Sequence, residues 1–509
     1  MSAHFEETRS TARVQLAASF DTLVAAGWGP LAAVLAAGAT LGFFAWYGLL
    51  VPTHDASLIA AGLPLFVFAA TLLVVWAWVA YSRYFAARAG VRLQRSMQYD
   101  AISWTPFVLL WLAFVLPIWF THGGVRLFIY CCALFIVAKL AVAVRFNETV
   151  RDVMVDFVVT RFAIIVIAEL AAVIIGQRAG THVQESSHAL LAVWGRWDAV
   201  HYLDIATIGY HGTDMAFFPL YPLLIAGLGL LIGNHLIAGL VVSNVALFFG
   251  LLYLYKLVEH EFDRAVARRA IFYISIFPTA IFFSAVYTES LFFFLTVASF
   301  YYMRERRWWM AGIVGFFAAM TRVEGVLLVV PFAIEWFVAY RGDLVSGIRN
   351  LLPIVIIPVG LALYMGYLWV LNGDPLYFSH VQIHWNRHFA APWTAVINAF
   401  HKIATATSPQ TQANQTLELV FTALMIGVLI GGWRRLKPSY IAYLALSILV
   451  PMSTSSLMSM PRFALVLFPM FAILALWGKR PSVNNAIVAF SLPLLGLFTV
   501  LFADWYWVA

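Results

Sequence analysis

The chain has 509 residues, of which 63% are hydrophobic and only 11% are charged, and its mean hydropathy is +0.87. A soluble domain carries roughly 25% charged residues, so these values exclude a soluble protein and indicate an all-α polytopic membrane protein. The formal net charge of +7 is then expected to reflect the orientation of loops in the membrane rather than binding to nucleic acid.

Lysine and arginine in the short loops predict the topology, because cytoplasmic loops carry an excess of both. The amino-terminal tail is polar and mixed in charge, and its Arg9 and Arg13 place it in the cytoplasm. Four spans follow it, near residues 28–51, 58–81, 104–121 and 124–144. Nothing polar is concentrated in these spans, so residues 1–150 are expected to form a separate amino-terminal appendage of unknown role. A fifth span near 155–176 leads out of the cytoplasm and makes the polar loop 177–235 extracytoplasmic.

Residues 216–232, AFFPLYPLLIAGLGLLI, are apolar enough to span the membrane. A span here would place the basic loop EHEFDRAVARR outside. A short helix lying on the outer membrane face, with Pro219 and Pro222 near its start, instead keeps this loop and every later basic loop inside. The second outer loop, 372–415, and the SMPR segment at 459–462 then fall outside, and the total is about 15 spans.

The first polar cluster lies in AVWGRWDAVHYLDIATIGY, residues 192–210. If this stretch is helical, Asp198, His201 and Tyr202 share one face, and Arg196 lies just before them. A carboxylate among aromatic side chains is partly desolvated, which raises its pKa and suits it to accept a proton from a hydroxyl group. The alternative is that Asp198 caps the helix or pairs with Arg196.

A second acidic position, Glu289 in SAVYTESLF, lies in a short outer loop between two spans. Acidic residues at membrane depth are functional candidates by default. The alternative is that Thr288 and Glu289 simply begin the next helix as an N-cap. In TRVEG, Arg322 and Glu324 fall on the same side of the membrane, where a local ion pair is the simpler interpretation.

The segment HVQIHWNRHF, residues 380–389, places histidines at 380, 384 and 388. A helix would stack them on one face, as in a metal site, but no carboxylate lies at ligand spacing and no metal is expected. Gln382, Trp385 and Arg387, together with His384, better suit binding of a sugar or a phosphate. Arg462 in SMPRF opens a span at the outer face, where its guanidinium can bind a lipid phosphate or serve as a positional anchor.

Six of these stretches resemble, in the same order, the PIG-V family of GT-C glycosyltransferases. They are GRWDAVHYLDIATIGY, AFFPLYPLLI, FPTAIFFSAVYTESLF, RRWWMAGIVGFFAAMTR, HWNR and SMPRFALVLFP, and the resemblance covers about residues 155–480. It implies a GT-C glycosyltransferase fold with outer juxtamembrane helices over residues 151–509, an active-site loop at 177–235 and a second outer loop at 372–415. It also implies a polyprenyl- or dolichyl-phosphate-mannose donor and a glycolipid or glycan acceptor.

The resemblance implies roles for the polar residues. Asp198 would be the general base, deprotonating the acceptor hydroxyl that attacks the sugar C1 with inversion. Glu289 would bind the acceptor or orient the base, and Arg462, with Arg387 or Arg322, would stabilise the departing phosphate. The substrate-binding set is completed by Arg196, His201, Tyr202, Gln382, His384 and Trp385. No DxD pair lies outside, so no metal is expected to be required.

The same resemblance implies an integral membrane enzyme with its site on the extracytoplasmic face, in the plasma membrane of a prokaryote or the endoplasmic reticulum of a eukaryote. Three alternatives remain open. The first is the same enzyme class with another lipid-phosphate sugar, such as glucose or arabinose. The second is a lipid or glycan transporter or flippase, although such proteins place charges near the bilayer midplane and often repeat their halves. The third is a membrane scaffold whose site has lost activity.

Overall fold

The structure, a computed structural model, describes residues 147–175 and 191–508. Almost all of the predicted four-span appendage, 1–150, and the beginning of the predicted active-site loop, 177–190, lie outside the described residues. Their organisation therefore remains a prediction.

The described residues form fifteen α-helices of seven or more residues and, apart from one isolated bridge between Phe389 and Thr454, no β-structure. In chain order the helices are α1 Glu148–Ile174, α2 Ala199–Ile208, α3 Leu220–Ile232, α4 His235–Glu261, α5 Arg264–Ser275, α6 Glu289–Arg304, α7 Trp308–Thr321, α8 Val329–Tyr340, α9 Pro353–Asn372, α10 Pro392–Thr405, α11 Pro409–Gly432, α12 Pro438–Met452, α13 Met460–Val466, α14 Phe468–Trp477 and α15 Pro481–Ala503. The all-α prediction is confirmed for this part of the chain.

Six helical stretches in the described residues are long and apolar enough to cross a membrane, or seven if α13 and α14, which bend by 77° at their junction, form one broken span. These stretches identify an integral membrane protein, whereas the predicted total of about 15 spans stays a prediction. Helix α3 has 13 residues and is about 20 Å long, which is shorter than the roughly 30 Å hydrocarbon core. Its length agrees with the prediction that residues 216–232 lie along the membrane surface.

Helix α6 lies at the centre of the bundle, where it packs against α4 and α7. Helix α7 packs in turn against α9, and glycines allow the two backbones to approach closely. A Cβ atom at Gly312 of α7 would lie 2.4 Å from the carbonyl oxygen of Pro353, and one at Gly360 of α9 would lie 2.4 Å from that of Phe316. Small residues commonly allow such contacts between membrane helices.

Between α5 and α6 the chain leaves α-helical geometry over residues 276–288, IFPTAIFFSAVYT, which include the short 3-10 helix Ala280–Phe283 and which we call the irregular segment. Every residue in it is buried. Because irregular backbone is tolerated at membrane depth only where protein satisfies its polar groups, its carbonyls need donors. Arg161 of α1 supplies one of them: its Nη1 donates to the carbonyl of Ala280 at 2.8 Å, and its Nη2 donates, also at 2.8 Å, to the carbonyl of Ser275, the last residue of α5.

Candidate active site

Asp198 lies directly before α2, at the end of a turn that begins with the 3-10 helix Ala192–Gly195. It occupies the N-cap position, but its side chain makes no capping hydrogen bond. Its Oδ2 instead lies 2.6 Å from Nη1 of Arg462, a residue of α13. The ion pair of Asp198 in the described residues is with Arg462 and not with Arg196. The described residues therefore show neither helix capping by Asp198 nor a local ion pair with Arg196. Asp198 instead forms an ion pair with a residue 264 positions later in the sequence.

The backbone on either side of Asp198 is held by Tyr287, whose side chain is fully buried in the irregular segment. The backbone N–H of Asp198 donates to Oη of Tyr287 at 3.2 Å, and the Tyr287 hydroxyl donates to the carbonyl of Arg196 at 3.1 Å. Between them Trp197 adopts a left-handed conformation with φ of 59°, which is uncommon for a bulky residue. Tyr287 thus bridges both sides of the turn that presents Asp198.

Glu289 is the first residue of α6, and none of its surface is exposed. Its Oε1 lies 3.0 Å from Nη1 of Arg322 and 2.8 Å from Nε of Arg462. Thr288 occupies the N-cap position without a capping hydrogen bond, so the acid is placed by two arginines rather than by helix capping.

Arg322 also contacts Glu324, with 3.5 Å between Nε and Oε2, so the local ion pair is present as well. We call Asp198, Glu289, Arg322, Glu324 and Arg462 the carboxylate–arginine cluster. Its acids differ in accessibility: the side chain of Asp198 is 22% exposed, that of Glu324 15% and that of Glu289 0%. Asp198 is therefore the carboxylate that a substrate reaches most readily.

Arg387 lies beside this cluster but differs from its arginines. Its Nη2 donates to the carbonyl of Met458, and its guanidinium stacks on Phe463 at 6.0 Å, while Arg322 stacks on the same ring at 5.2 Å. Its Nε is buried without a hydrogen-bond partner, and among the described residues no carboxylate lies within 4 Å of it. Burial lowers the pKa of Arg387 to about 10, and the nearby Arg462 adds to the effect. At neutral pH Arg387 is a half-buried cation that pairs directly with no carboxylate in the described residues, although Asp198, Glu324 and Glu418 are close enough to favour its charged form.

The predicted face of α2 forms, and the second outer loop folds onto it. His201 stacks on Phe217 at 4.5 Å, and Trp385 meets His201 edge-on at 6.3 Å. Nδ1 of His201 lies 2.7 Å from Oδ1 of Asp214. Tyr202 lies one position further along and is buried, with its hydroxyl 3.3 Å from that of Thr288; burial raises the pKa of Tyr202. His201 and Trp385 thus line an aromatic wall beside the cluster.

Three predicted residues lie apart from the carboxylate–arginine cluster. Arg196 is buried, and its guanidinium stacks on Trp505 at 5.1 Å. His384 is exposed and Gln382 half-buried, and within the described part of the chain neither side chain contacts the cluster. Their roles in substrate binding remain predictions.

The four-residue spacing of the histidines does not produce one helical face. A single helical turn, Tyr377–His380, passes into the 3-10 helix Val381–Trp385. That helix ends at Asn386, which has a left-handed φ of 54°, so residue 388 lies beyond it. Nδ1 of His380 lies 2.6 Å from Oδ2 of Asp374, and this hydrogen bond lowers the pKa of the aspartate. Among the residues that the structure describes, no group of three or more His, Cys, Asp or Glu side chains could hold a metal ion.

Sequence reasoning gave no role to three residues that shape the site. Tyr287 stands in the quoted motif SAVYTESLF, but its spacing carries no sign of a contact with residues 196–198. Asp214 orients His201 and comes from an unremarkable stretch. Trp507 follows the last helix and lies 5.7 Å from the Arg462 guanidinium and 5.4 Å from the ring of Trp197. The aromatic tail WYW after a hydrophobic run was the one available signal for it.

The described fold and site define a class: a helical integral membrane protein with a buried carboxylate–arginine cluster whose most accessible member is an aspartate. Residues 143–358 match the model of the mannosyltransferase (PIG-V) family, so the chain is PIG-V-like over this range and the resemblance predicted from its motifs is confirmed. The GPI alpha-1,6-mannosyltransferase 2 of Rattus norvegicus is 32% identical over 166 residues, 29% of this chain and 32% of that protein. The enzyme of the same name from Cricetulus griseus is 27% identical over 272 residues, 41% of this chain and 54% of that protein.

The chain therefore spans between about a third and about half of the length of these curated relatives. Among solved structures, the oligosaccharyltransferase of Archaeoglobus fulgidus is similar, with 15% sequence identity, a TM-score of 0.35, and coverage of 67% of this chain and 54% of that one.

Proposed function

We propose that this protein is a membrane mannosyltransferase that moves mannose from a polyprenyl-phosphate donor to a hydroxyl group of a glycolipid or glycan acceptor on the extracytoplasmic face. One observation carries the proposal. The range that matches the mannosyltransferase (PIG-V) family, residues 143–358, contains Asp198, Glu289 and Arg322, which are far apart in sequence and are joined in one cluster through Arg462.

Asp198 would act as the general base. Its carboxylate accepts the proton of the acceptor hydroxyl, the hydroxyl oxygen attacks C1 of mannose, and the bond from C1 to the donor phosphate oxygen breaks, leaving the polyprenyl phosphate with both electrons. Attack opposite the leaving group inverts the anomeric centre. Arg462 holds one carboxylate oxygen at 2.6 Å and Tyr287 holds the backbone, so the base is oriented before the acceptor arrives.

Glu289 is fully enclosed between Arg322 and Arg462, so we assign it to positioning these arginines rather than to direct contact with the acceptor.

Arg387 is the best candidate for the phosphate of the donor. Arg462 and Arg322 are already paired with carboxylates, whereas in the described residues no carboxylate lies within ion-pair distance of Arg387 and its Nε has no hydrogen-bond partner. An anion bound there would compensate the charge of Arg387, and the guanidinium would stabilise the negative charge that grows on the leaving phosphate. Arg387 is thus the leading phosphate ligand, and Arg462 is the residue that orients the base.

The aromatic wall formed by His201, Phe217 and Trp385 suits the sugar. The apolar face of a pyranose ring packs on aromatic side chains, and the polar edges of such residues offer hydrogen bonds. The wall adjoins the turn that presents Asp198, because His201 lies in the first turn of α2, three residues after Asp198 at the N-cap.

The first experiment is a transfer assay with the purified protein in detergent, a short-chain polyprenyl-phosphate mannose and a panel of mannoside acceptors, followed by mass spectrometry. Asp198→Asn keeps the shape of the side chain but removes the base, so turnover should fall by roughly 10²–10⁴-fold. Asp204→Asn, on the same helix, is the matched control and should retain most of the activity. Near-normal turnover in Asp198→Asn would refute its role as base. Transfer should persist in EDTA, and a polyprenyl-phosphate glucose donor tests the choice of sugar.

A second experiment separates the two arginines. Arg387→Gln should raise the KM for the donor by about tenfold or more, since a charge-assisted contact to phosphate contributes roughly 1.5–3 kcal/mol. Arg462→Gln should instead lower kcat, because it frees the Asp198 carboxylate to reorient. If Arg387→Gln leaves donor KM unchanged, the assignment of the phosphate to Arg387 is wrong.

A further inference from the structure

A cavity of about 260 Å³ lies at the end of α4, between its last turns, the loop that joins α11 to α12, and α14. One wall is apolar and includes Leu257, Val258 and Phe468. The lining also includes three basic residues, Arg434, Arg435 and Lys437, which we call the cationic rim. A space lined by both apolar and cationic side chains fits a ligand that is itself part apolar and part anionic.

The cavity is remote from the candidate active site. Ser243 of α4 donates to the carbonyl of Ala285 in the irregular segment at 2.8 Å, whereas Glu261 of the same helix lines the cavity. The 18 residues between them correspond to about 27 Å along the helix axis. Helix α6 likewise begins at Glu289 in the cluster and ends at Arg304, which contacts Glu261 at 2.6 Å. The two sites therefore lie at opposite ends of the same helices.

Charges at the cavity are not balanced. Glu261 is shared by Arg304 and by Lys437, whose Nζ lies 2.8 Å from Oε2. Arg434 and Arg435 are exposed, and in the described part of the chain neither contacts a carboxylate. Two guanidiniums thus face the rim without counter-charges, and guanidiniums bind phosphate oxygens in pairs of parallel hydrogen bonds.

The position of the rim indicates a lipid rather than a soluble anion. Helix α11 is a candidate membrane span that ends at Gly432, and the next residue, Trp433, is 64% exposed. Exposed tryptophans at the ends of spans lie at the level of the lipid headgroups. The loop charges predict that this face is cytoplasmic, where anionic phospholipids are concentrated.

We propose that this cavity binds the headgroup phosphate of an acidic phospholipid, with Arg434 and Arg435 on the phosphate and the apolar wall against the carbon atoms next to it. The site is independent of the proposed transferase activity, since it is built from other residues and its test measures lipid retention. A soluble phosphate has the same anionic group but gains nothing from the apolar wall or from the membrane interface.

The test uses the full chain purified in a neutral detergent, with native mass spectrometry after addition of phosphatidylglycerol or of phosphatidylcholine with the same acyl chains. The wild type should retain phosphatidylglycerol in preference to phosphatidylcholine. The double variant Arg434→Gln/Arg435→Gln should bind phosphatidylglycerol about 30-fold more weakly, since each basic residue near an anionic surface contributes about a factor of five. Arg306→Gln/Arg307→Gln, another exposed arginine pair, is the control and should bind as the wild type does.

The proposal would be overturned if the two double variants retained phosphatidylglycerol equally. It would also be overturned if the wild type retained phosphatidylglycerol and phosphatidylcholine equally. A competition arm with inorganic phosphate distinguishes the source of the anion. Displacement of phosphatidylglycerol by millimolar inorganic phosphate would overturn the lipid assignment, whereas retention in its presence supports it. Arg434→Lys/Arg435→Lys, which keeps both charges, should recover most of the binding and confirms that the glutamine variant acts through charge rather than misfolding.

Discussion

Removing the charge of Glu289 tests whether the carboxylate–arginine cluster is a balanced unit. With Arg387 beside it, the cluster brings three carboxylates and three guanidiniums together, and Glu289 is its fully enclosed member. Glu289→Gln preserves the shape of the side chain but leaves one positive charge in excess. We expect this variant to be less stable, although no substrate contact is lost.

The size of the loss follows from the contacts that remain. Removing one partner of a buried ion pair costs roughly 3–5 kcal/mol, because the other charge stays buried. Here Arg322 keeps Glu324, with Nε and Oε2 3.5 Å apart, and Arg462 keeps Asp198, with Nη1 and Oδ2 2.6 Å apart. The lower end, about 3 kcal/mol, therefore applies, which corresponds to a fall in melting temperature of roughly 3–4 °C for a chain of this length.

A double-mutant cycle distinguishes charge imbalance from disturbed packing. Arg322→Met alone should cost about the same as Glu289→Gln, but the double variant restores the balance and should lose at least about 2 kcal/mol less than the sum. Melting is followed by tryptophan fluorescence in detergent. The control cycle uses Asp263→Asn and Lys479→Met, an exposed pair with 2.9 Å between Oδ2 and Nζ and side chains 47% and 50% exposed. Its coupling should stay below about 1 kcal/mol.

Additive losses at Glu289 and Arg322, within about 0.5 kcal/mol, would refute this reasoning. The two residues would then act separately, and enclosure of Glu289 would have to be explained by packing alone.

Three further variants test the scaffold around the site. Tyr287→Phe removes the hydroxyl that bridges the turn around Asp198, so kcat should fall roughly 10–100-fold with donor KM nearly unchanged. An unchanged kcat would show that the turn keeps its conformation without this hydroxyl. Arg161→Leu removes the hydrogen-bond donor of two backbone carbonyls, and each unsatisfied carbonyl costs roughly 1–3 kcal/mol of stability. Its melting temperature should therefore lie well below that of Arg151→Leu, which replaces an exposed arginine of α1. Gly312→Leu should destabilise the contact between α7 and α9. Gly366→Leu is the control and should not, because a Cβ atom at Gly366 meets nothing within 4 Å. Equal melting temperatures of the two variants would argue against close packing at Gly312.

Local sequence patterns predicted the all-helical class and two of the described helices, but not the path of the chain between helices. The long apolar run near 155–176 appears within α1, and the short length of α3 suits the predicted surface position of residues 216–232. The irregular segment gave no such signal. Its apolar composition is compatible with a buried helix, and what permits another backbone path is Arg161, more than a hundred residues earlier.

The candidate site shows the same limit. The residue types of Asp198, Glu289, Arg322 and Arg462 were sufficient to select them, because charges at membrane depth are rare. Their pairing was not visible, since 264 positions separate Asp198 from Arg462 and no periodicity extends over that distance. Spacing is also a weak guide to contact: the histidines of the second outer loop recur every four residues, but Asn386 ends the helix before the third of them.

The bond between Arg161 and the irregular segment also sets an order for biogenesis. An arginine at the centre of a lone membrane helix costs roughly 2.5–3.5 kcal/mol to insert, and the irregular segment would expose unsatisfied carbonyls to lipid if it entered alone. Arg161 supplies the hydrogen-bond donor that the irregular segment lacks, and the segment supplies an acceptor for the arginine. Ala280 is, however, synthesised 119 residues after Arg161. At about 5–20 residues per second, the ribosome needs roughly 6–24 s to cover that distance. During that interval Arg161 of α1 has no hydrogen-bond acceptor from the irregular segment. We therefore expect the insertion machinery to keep α1 out of bulk lipid until that segment emerges.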